Sequence, residues 1–310
     1  LPDQCRLVLL GDPDQLTNIE AGAMLADIAA ADLPLSQGSN QPQVVRLTTN
    51  HRSVGAIRAL AEAVIAADAD TVLDLLDHAR EGIEYWDCDP ATLDLSAPSP
   101  LRDDLVRQGR DLYQHALIGE SEAAVRALDA HRLLCAHRSG PYGVAHWSAM
   151  SERLLRAAIP GFGSDGPWYL GRPLLLNTNQ RELGVANGDT AVIVRTGSGP
   201  RAALNGTLPV RLLTPYLLDQ VSDLFAMTVH KSQGSQFETV TLVLPPASSP
   251  LLTRELFYTA ITRAVSRLRV IGPRDSVRRA VQTQARRASG LTARLTGQLM
   301  APSNETLLAR

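Results

Sequence analysis

Lysine is almost absent from this 310-residue sequence: among 30 Lys and Arg residues, Lys231 is the only lysine. Guanidinium is therefore the default cation, and a compact, strongly hydrated ammonium at one position is a different chemical choice. No GxxxxGK[ST] phosphate-binding loop occurs anywhere in the sequence. Cysteine is nearly as scarce. Cys5, Cys88 and Cys135 lie far apart without CxxC or Cys/His spacing. That argues against a disulfide framework and a metal site, and predicts reduced thiols acting as small buried hydrophobes in a cytoplasmic protein. Aromatic residues make up 4%, so few side chains can stack on bases. No apolar run is long enough to span a membrane, and nothing at the N-terminus resembles a signal peptide.

With 45% hydrophobic and 20% charged residues and a mean hydropathy of -0.05, the composition is that of a soluble globular protein of roughly two domains. A net charge of -2 excludes a uniformly basic coat, but not a local basic surface. From Arg263 onward the chain carries Arg263, Arg267, Arg269, Arg274, Arg278, Arg279, Arg286, Arg287, Arg294 and Arg310 against only Asp275 and Glu305. That asymmetry serves either phosphate contact or a solvated helical face.

The stretch from Leu224 to Pro245, LFAMTVHKSQGSQFETVTLVLP, is the most informative. Leu224, Phe225, Met227 and Val229 read as a strand. It breaks into the polar loop His230-Lys231-Ser232-Gln233-Gly234, and the β-branched run Val240–Leu244 follows. A buried strand ending in hydrogen-bond donors and a glycine fits the C-terminal edge of a parallel sheet, where open α/β folds place ligands.

Upstream, Leu7–Leu10 followed by GDPDQL reads as a buried strand and tight turn, which either is ordinary turn chemistry or aims Asp12 and Gln15 at a nucleotide. A helix is predicted over Ile19–Ala31, then a polar connector over Leu33–Pro42. Val44–Leu47 starts a new strand that ends in TTNHRS. The next helix, about Gly55–Ala67, has Ile57, Leu60, Ala61, Val64 and Ile65 on one face. Arg52 just before it opposes the helix dipole and calls for an anion, either a phosphate or a carboxylate. Residues 68–130 read as acidic, helical packing and connection. A strand is predicted at Arg132–Ala136, then a helix through Trp147, a core residue. From Pro160 to Leu213 short alternating runs at 173–176, 190–194 and 209–213, with a hairpin signal at Asn187-Gly188, predict a small β-barrel-like insertion. Arg263, on an apolar helical segment before the strand Leu268–Ile271, either pairs with an acid or projects into a site.

Jointly, GDPDQL, TTNHRS, AMTVHKSQGSQF and LFYTAITRA stand in the order and spacing of motifs III, IV, V and VI of the superfamily 1 helicases, which this chain resembles. VHKSQGSQF, HRSGPYGVAHW and WYLGRPLLLNTNQRELGVANGD resemble the RecD family, alpha subunits of exodeoxyribonuclease V. The resemblance implies an α/β architecture: the tail end of a RecA-like domain (1–33), then a RecA-like parallel-sheet helicase domain (44–159 and 214–310) with a small SH3-like β insertion (160–213). It implies an ATP-dependent DNA helicase using ATP and Mg2+, acting on single-stranded DNA with RecB and RecC in double-strand break repair and recombination. By position, Gln15 matches the sensor of the terminal phosphate, with Asp12 beside it. Arg52 and Arg263 match paired arginines that reach ATP, while Gly234 and Gln236 fall at the nucleotide. Thr228, His230 and Lys231, with Ser232 and Gln233, match residues linking the cleft to DNA.

There are departures from the family pattern. Gln236 stands where relatives often carry a ribose-binding glutamate, and His51 where an aromatic residue stacks on adenine. No Walker A motif is present and no Asp-Glu Walker B pair precedes Leu7. Leu1 is not an initiator methionine, so the chain reads as a fragment, expected to be inactive alone. Rival readings are a stand-alone RecD-like or relaxase-linked helicase, and a non-catalytic DNA-binding scaffold subunit. A small-molecule enzyme on a similar sheet is a third.

Overall fold

The structure is a computed structural model and describes Cys5 and residues 8–16, 24–31, 44–45, 55–78 and 81–285. The chain divides into two units, Leu1–His51 with Gln284–Arg310, and Arg52–Thr283. In the first, the described residues hold a turn at Pro13-Asp14-Gln15 and helix α1 (Met24–Ala30). Val8, Leu9 and Leu10 do not form the expected buried strand: all three are exposed and join neither sheet. A strand is held by a neighbour's hydrogen-bond ladder, and an apolar run without one has nothing to fix it.

The second unit opens with α2 (Ala56–Ile65), which buries Ile57, Leu60, Ala61 and Val64. Ile65, expected on the same face, is 40% exposed at the last position of the helix. Asp68 accepts from the Thr71 amide to cap α3 (Ala69–Asp77). A strand not expected in this acidic stretch, β1 (Ile83–Trp86), comes next. Ser99 caps α4 (Pro100–Ile118), which starts on the proline. Then come α5 (Ser121–Leu128), the fully buried β2 (His131–Cys135) and α6 (Val144–Ala158). Strands β3 (Pro173–Leu176), β4 (Thr190–Thr196), β5 (Gly199–Leu204), β6 (Arg211–Leu213) and β7 (Val221–Asp223) follow. The chain then runs through β8 (Ala226–Thr228), β9 (Phe237–Val243), α7 (Arg254–Ile261), β10 (Ala264–Ile271) and α8 (Arg274–Gln282).

These strands make two sheets. One, in the order β1-β10-β9-β2-β8, is parallel at every pairing; the other, β6-β5-β4-β3-β7, is antiparallel throughout. The fold class is therefore α/β with a parallel sheet, as expected. Strands β5 and β7 had no clear sequence signal, and Asn187-Gly188 does not close a two-residue hairpin. The β3–β4 connection runs from Asn177 to Asp189, with Gly188 at φ 100 in its last turn. The parallel sheet is buried on both faces, which explains its near-continuous apolar strands. Leu133, Cys135, Val243 and Ile271 pack against Trp147 and Leu154 of α6 and Leu101 and Leu105 of α4. Leu134, Leu242 and Val270, next along their strands, are also fully buried, and α2 and α7 pack on these strands.

Helix α4 ties the two sheets together. Gly119 ends it at φ 83, and a Cβ there would stand 2.9 Å from the Arg195 carbonyl oxygen of β4. Phe162 joins the same junction, ringed edge-on by Tyr113, Tyr169 and Phe225 at centroid distances of 5.8, 5.2 and 6.4 Å. Four of the chain's few aromatics thus sit where α4, α6 and the start of β8 meet the antiparallel sheet. Among the described residues no helix is long and apolar enough to cross a membrane.

The acidic segment neutralises the arginine-rich end. Arg269, 1% exposed, donates through Nε to Glu84 and through Nη2 to Asp104, both at 2.8 Å, and lies over the Trp86 ring. Arg267 also donates to Asp104 at 2.9 Å, and Arg107 pairs with it. On the surface Arg274 meets Asp77 and Arg278 meets Asp70. Carboxylates are therefore the partners of all five arginines. Burial alone would raise the Asp104 carboxyl, but the Arg269 hydrogen bond and three nearby guanidiniums hold it below the usual 3.8. A depressed folded-state pKa contributes stability above the unfolded value, lost as pH falls through the folded one. Asp104→Asn is accordingly expected to cost about 3 kcal/mol at neutral pH by leaving Arg269 half-paired. Urea titrations should find that gap closing as the pH drops below 3.8.

Candidate functional site

The β8–β9 connection is short for what it spans. Thr228 lies level with Cys135, and Cys135 level with Val243, so β8 ends beside the far end of β9, which starts at Phe237. The chain must return roughly 20 Å along the sheet and step about 10 Å sideways past β2. Residues Val229–Gln236 make that passage; the nine Cα–Cα steps from Thr228 to Phe237 would reach about 30 Å fully extended, against a straight path of about 22 Å. The excess is taken up by a 3-10 turn at His230–Ser232 and a second turn in which the Ser235 amide donates to the Ser232 carbonyl. Parallel strands ordinarily need a crossover of about a dozen residues or more. The loop is short and compactly turned.

Hydrogen bonds pin it along its length. The Val229 amide donates to the Cys135 carbonyl at 3.0 Å, continuing the β2 edge. The buried Ser232 hydroxyl donates back to Val229, and the Lys231 amide donates to Thr228 Oγ1 at 3.3 Å. Gly234 then turns the chain at φ 84, with open space where a Cβ would stand.

At the C-terminal edge of the sheet, half-buried Lys231 donates from Nζ to Asn177 Oδ1 at 2.6 Å. Asn177 follows β3 and is itself held, its amide donating to Gln220 and its Nδ2 to Ser222 Oγ. Burial, helped by the positive charge of Arg138, holds the Lys231 pKa below 10.5. His137, next to Arg138 beyond β2, shares a 2.8 Å hydrogen bond with Ser249 Oγ.

The other end of the loop meets Arg263, which follows α7 and is 4% exposed. Its guanidinium donates to the carbonyls of Thr259 and Ser235 at 3.1 and 3.0 Å and to Thr262 Oγ1 at 3.3 Å. Its own carbonyl accepts from the Phe237 amide at 2.9 Å. These described partners are backbone and hydroxyl groups of the same unit. They fix the direction of the guanidinium from its own domain. Gln236, exposed, lines an open pocket of about 450 Å³ with Arg126, Asp129 and Asn205.

Of the remaining candidates, Gln15 donates to Asp12 Oδ2 at 2.8 Å and the Asp14 amide to Asp12 Oδ1 at 3.0 Å, so Asp12 and Gln15 share one turn in the first unit. His51 and Arg52 lie outside the described residues. The structure thus brings Thr228 to Lys231 at one end of the loop and the Gln236 stretch to Arg263 at the other. Sequence reasoning missed Asn177 and Arg138 as members of the site. The pairing of Asn177 with Lys231 crosses 54 residues, and no local pattern announces it.

Residues 223–271, spanning this loop and Arg263, match a family model described as the UvrD-like helicase C-terminal domain. The RecBCD enzyme subunit RecD of Mycolicibacterium smegmatis is 45% identical over 94% of this chain and 50% of its own length. The chain is homologous to RecD. The same subunit from Mycobacterium tuberculosis is 46% identical over 94% of the chain and 48% of the RecD sequence. The chain therefore spans about half the length of the curated RecD relatives it matches. Among solved structures, a Bacteroides Pif1 helicase in complex with ADP-AlF3 and ssDNA covers 84% of this chain and 60% of its own at 13% identity, with a TM-score of 0.40. That likeness is too remote to assign any residue.

Because only the left-handed backbone is at stake at Gly234, Gly234→Ala should lower stability by about 1–2 kcal/mol. Thermal melting checks this; a loss far larger would mean that the loop packs more closely than the open space around Gly234 indicates.

Proposed function

We propose that this chain is the second motor lobe, with its β insertion, of an ATP-dependent DNA helicase of the RecD kind. It would act on single-stranded DNA, with RecB and RecC as partner subunits, in cytoplasmic double-strand break repair. The lobe would comprise 44–159 and 214–310 and the insertion 160–213, to whose sheet β7 (Val221–Asp223) also belongs, with residues 1–33 the end of the first lobe. The observation that carries this reading is the short loop whose one end is hydrogen-bonded to Arg263 and whose other end carries Lys231.

ATP supplies the phosphoryl transfer. Arg263, its guanidinium fixed by three protein oxygens, offers positive charge to the transferring phosphate, with Arg52 as its partner and Gln15 and Asp12 sensing the terminal phosphate. Gly234 and Gln236 lie beside it, the amide of Gln236 suited to sugar hydroxyls, and His51 offers a ring to the base. Movement of Arg263 would act on Ser235 through its hydrogen bond, and the short, hydrogen-bonded loop would pass it to Lys231. There Thr228, His230, Lys231, Ser232 and Gln233 meet the DNA backbone, in contacts indifferent to sequence. Mg2+ would accompany the ATP phosphates, held by one or two side chains and water. A non-catalytic scaffold would keep the same fold, but would not depend on the charge of Arg263.

The test uses the full-length protein carrying Arg263→Ala, with Arg263→Lys as a variant that retains the charge. DNA-dependent ATP turnover and unwinding should fall by about a thousandfold in Arg263→Ala, the scale of arginine-finger losses. Affinity for single-stranded DNA should stay within a fewfold. Unwinding that survives the alanine variant would favour the scaffold and refute the motor assignment.

A further inference from the structure

Strands β2 and β8 are neighbours, and Cys135 is paired with Thr228. Three residues beyond each of these positions stands a cation, Arg138 on one strand's exit and Lys231 on the other's. Both belong to the C-terminal edge of the parallel sheet. The Arg138 backbone is fixed, its carbonyl accepting from the Ala145 amide at 3.0 Å, while the residue is exposed. Its loop is shaped by the bridge between His137 and Gly143 and by the hydrogen bond of His137 to Ser249. An exposed guanidinium on a fixed backbone is arranged for a partner outside the chain.

Charge balance points the same way. Arg267, Arg269, Arg274 and Arg278 each have a carboxylate within ion-pair distance. Among the described residues no such pair involves Arg138 or Lys231. Lys231 instead donates to a neutral amide oxygen, which orients the ammonium without cancelling its charge. The charge of Arg138 is near enough to make protonation of Lys231 harder. Two neighbouring cations that repel each other, with no acid between them, create a seat for an anion.

We propose that Arg138 and Lys231 hold one backbone phosphate of single-stranded DNA between them, and that Asn177 of the antiparallel sheet positions Lys231 for that contact. The proposal rests on the reading of the chain as a DNA motor lobe and adds Arg138 and Asn177 to it. A guanidinium and an ammonium recognise phosphate oxygens on any sequence, so the contact serves a protein that moves along a strand. Asn177 makes the seat depend on the insertion: where the β3–β7 sheet goes, the head group of Lys231 follows.

The experiment measures affinity of the full-length protein for a fluorescent oligothymidylate over a range of salt concentrations. Arg138→Gln and Lys231→Gln should each weaken binding and flatten the plot of log affinity against log salt by about 0.7, the increment for one phosphate contact on a single strand. Their double variant should lose less than the sum of the two, since one phosphate is shared. Asn177→Asp should mimic Lys231→Gln while melting no lower, because the new carboxylate pairs with Lys231; a merely structural Asn177 would leave the slope unmoved. Arg278→Gln, whose side chain is paired with Asp70, should keep the wild-type slope. DNA binding with unchanged slopes in both single variants overturns the seat and leaves the motor reading standing. A change in Lys231→Gln alone overturns the part given to Arg138. No binding of the oligonucleotide by the wild type overturns the DNA reading and the seat with it.

Discussion

A short connection pinned by hydrogen bonds at both ends sets the character of this protein. Between Thr228 and Phe237 the backbone must cross from one end of a parallel sheet to the other, past an intervening strand, in a passage that usually takes longer segments. A long connection would let the two ends of the sheet move independently. Here the hydrogen bonds of Val229 to Cys135 at one end and of Ser235 and Phe237 to Arg263 at the other hold the segment at both anchors. Between those anchors lies the 3-10 turn that carries Lys231.

The distribution of charge follows from the same division of labour. Arginines on β10 and α8 are matched by Asp70, Asp77, Glu84 and Asp104 from the segment that precedes β2. Those pairs bind the edge of the sheet to its covering helices, the buried ones firmly and the exposed ones weakly. The single lysine lies outside this network. An ammonium gives up hydration less readily than a guanidinium but is not bound to a planar, two-point partner. Partial burial also holds the pKa of Lys231 below 10.5.

Much of the fold could be read from the sequence wherever burial imposed a period. The strand entering His230, the helix carrying Trp147 and the runs at β3 and β4 all announce themselves by apolar spacing, and Trp147 is fully buried as expected. Reading failed where tertiary partners decide. Val8–Leu10 has strand composition and no ladder. Strand β1 is four residues long among acids, and only β10 beside it makes it a strand. Strand β10 itself begins at Ala264 rather than Leu268, because a bulge between Ala264 and Arg267 interrupts the alternation that would have revealed it. The site was legible as motifs but not as contacts. Nothing near Arg263 in sequence tells that Ser235 receives its guanidinium, and nothing near Lys231 points to Asn177.

The central claim is that the short, hydrogen-bonded Val229–Gln236 segment couples the Arg263 end of the sheet to the Lys231 end. Inserting two glycines after Gly234 in the full-length protein tests it most directly, since the added length alters no named residue but separates the two anchored ends. Steady-state ATP hydrolysis would be measured with and without single-stranded DNA. The account predicts that basal hydrolysis and DNA affinity both survive while DNA no longer stimulates hydrolysis. Stimulation equal to that of the uninterrupted loop would contradict it.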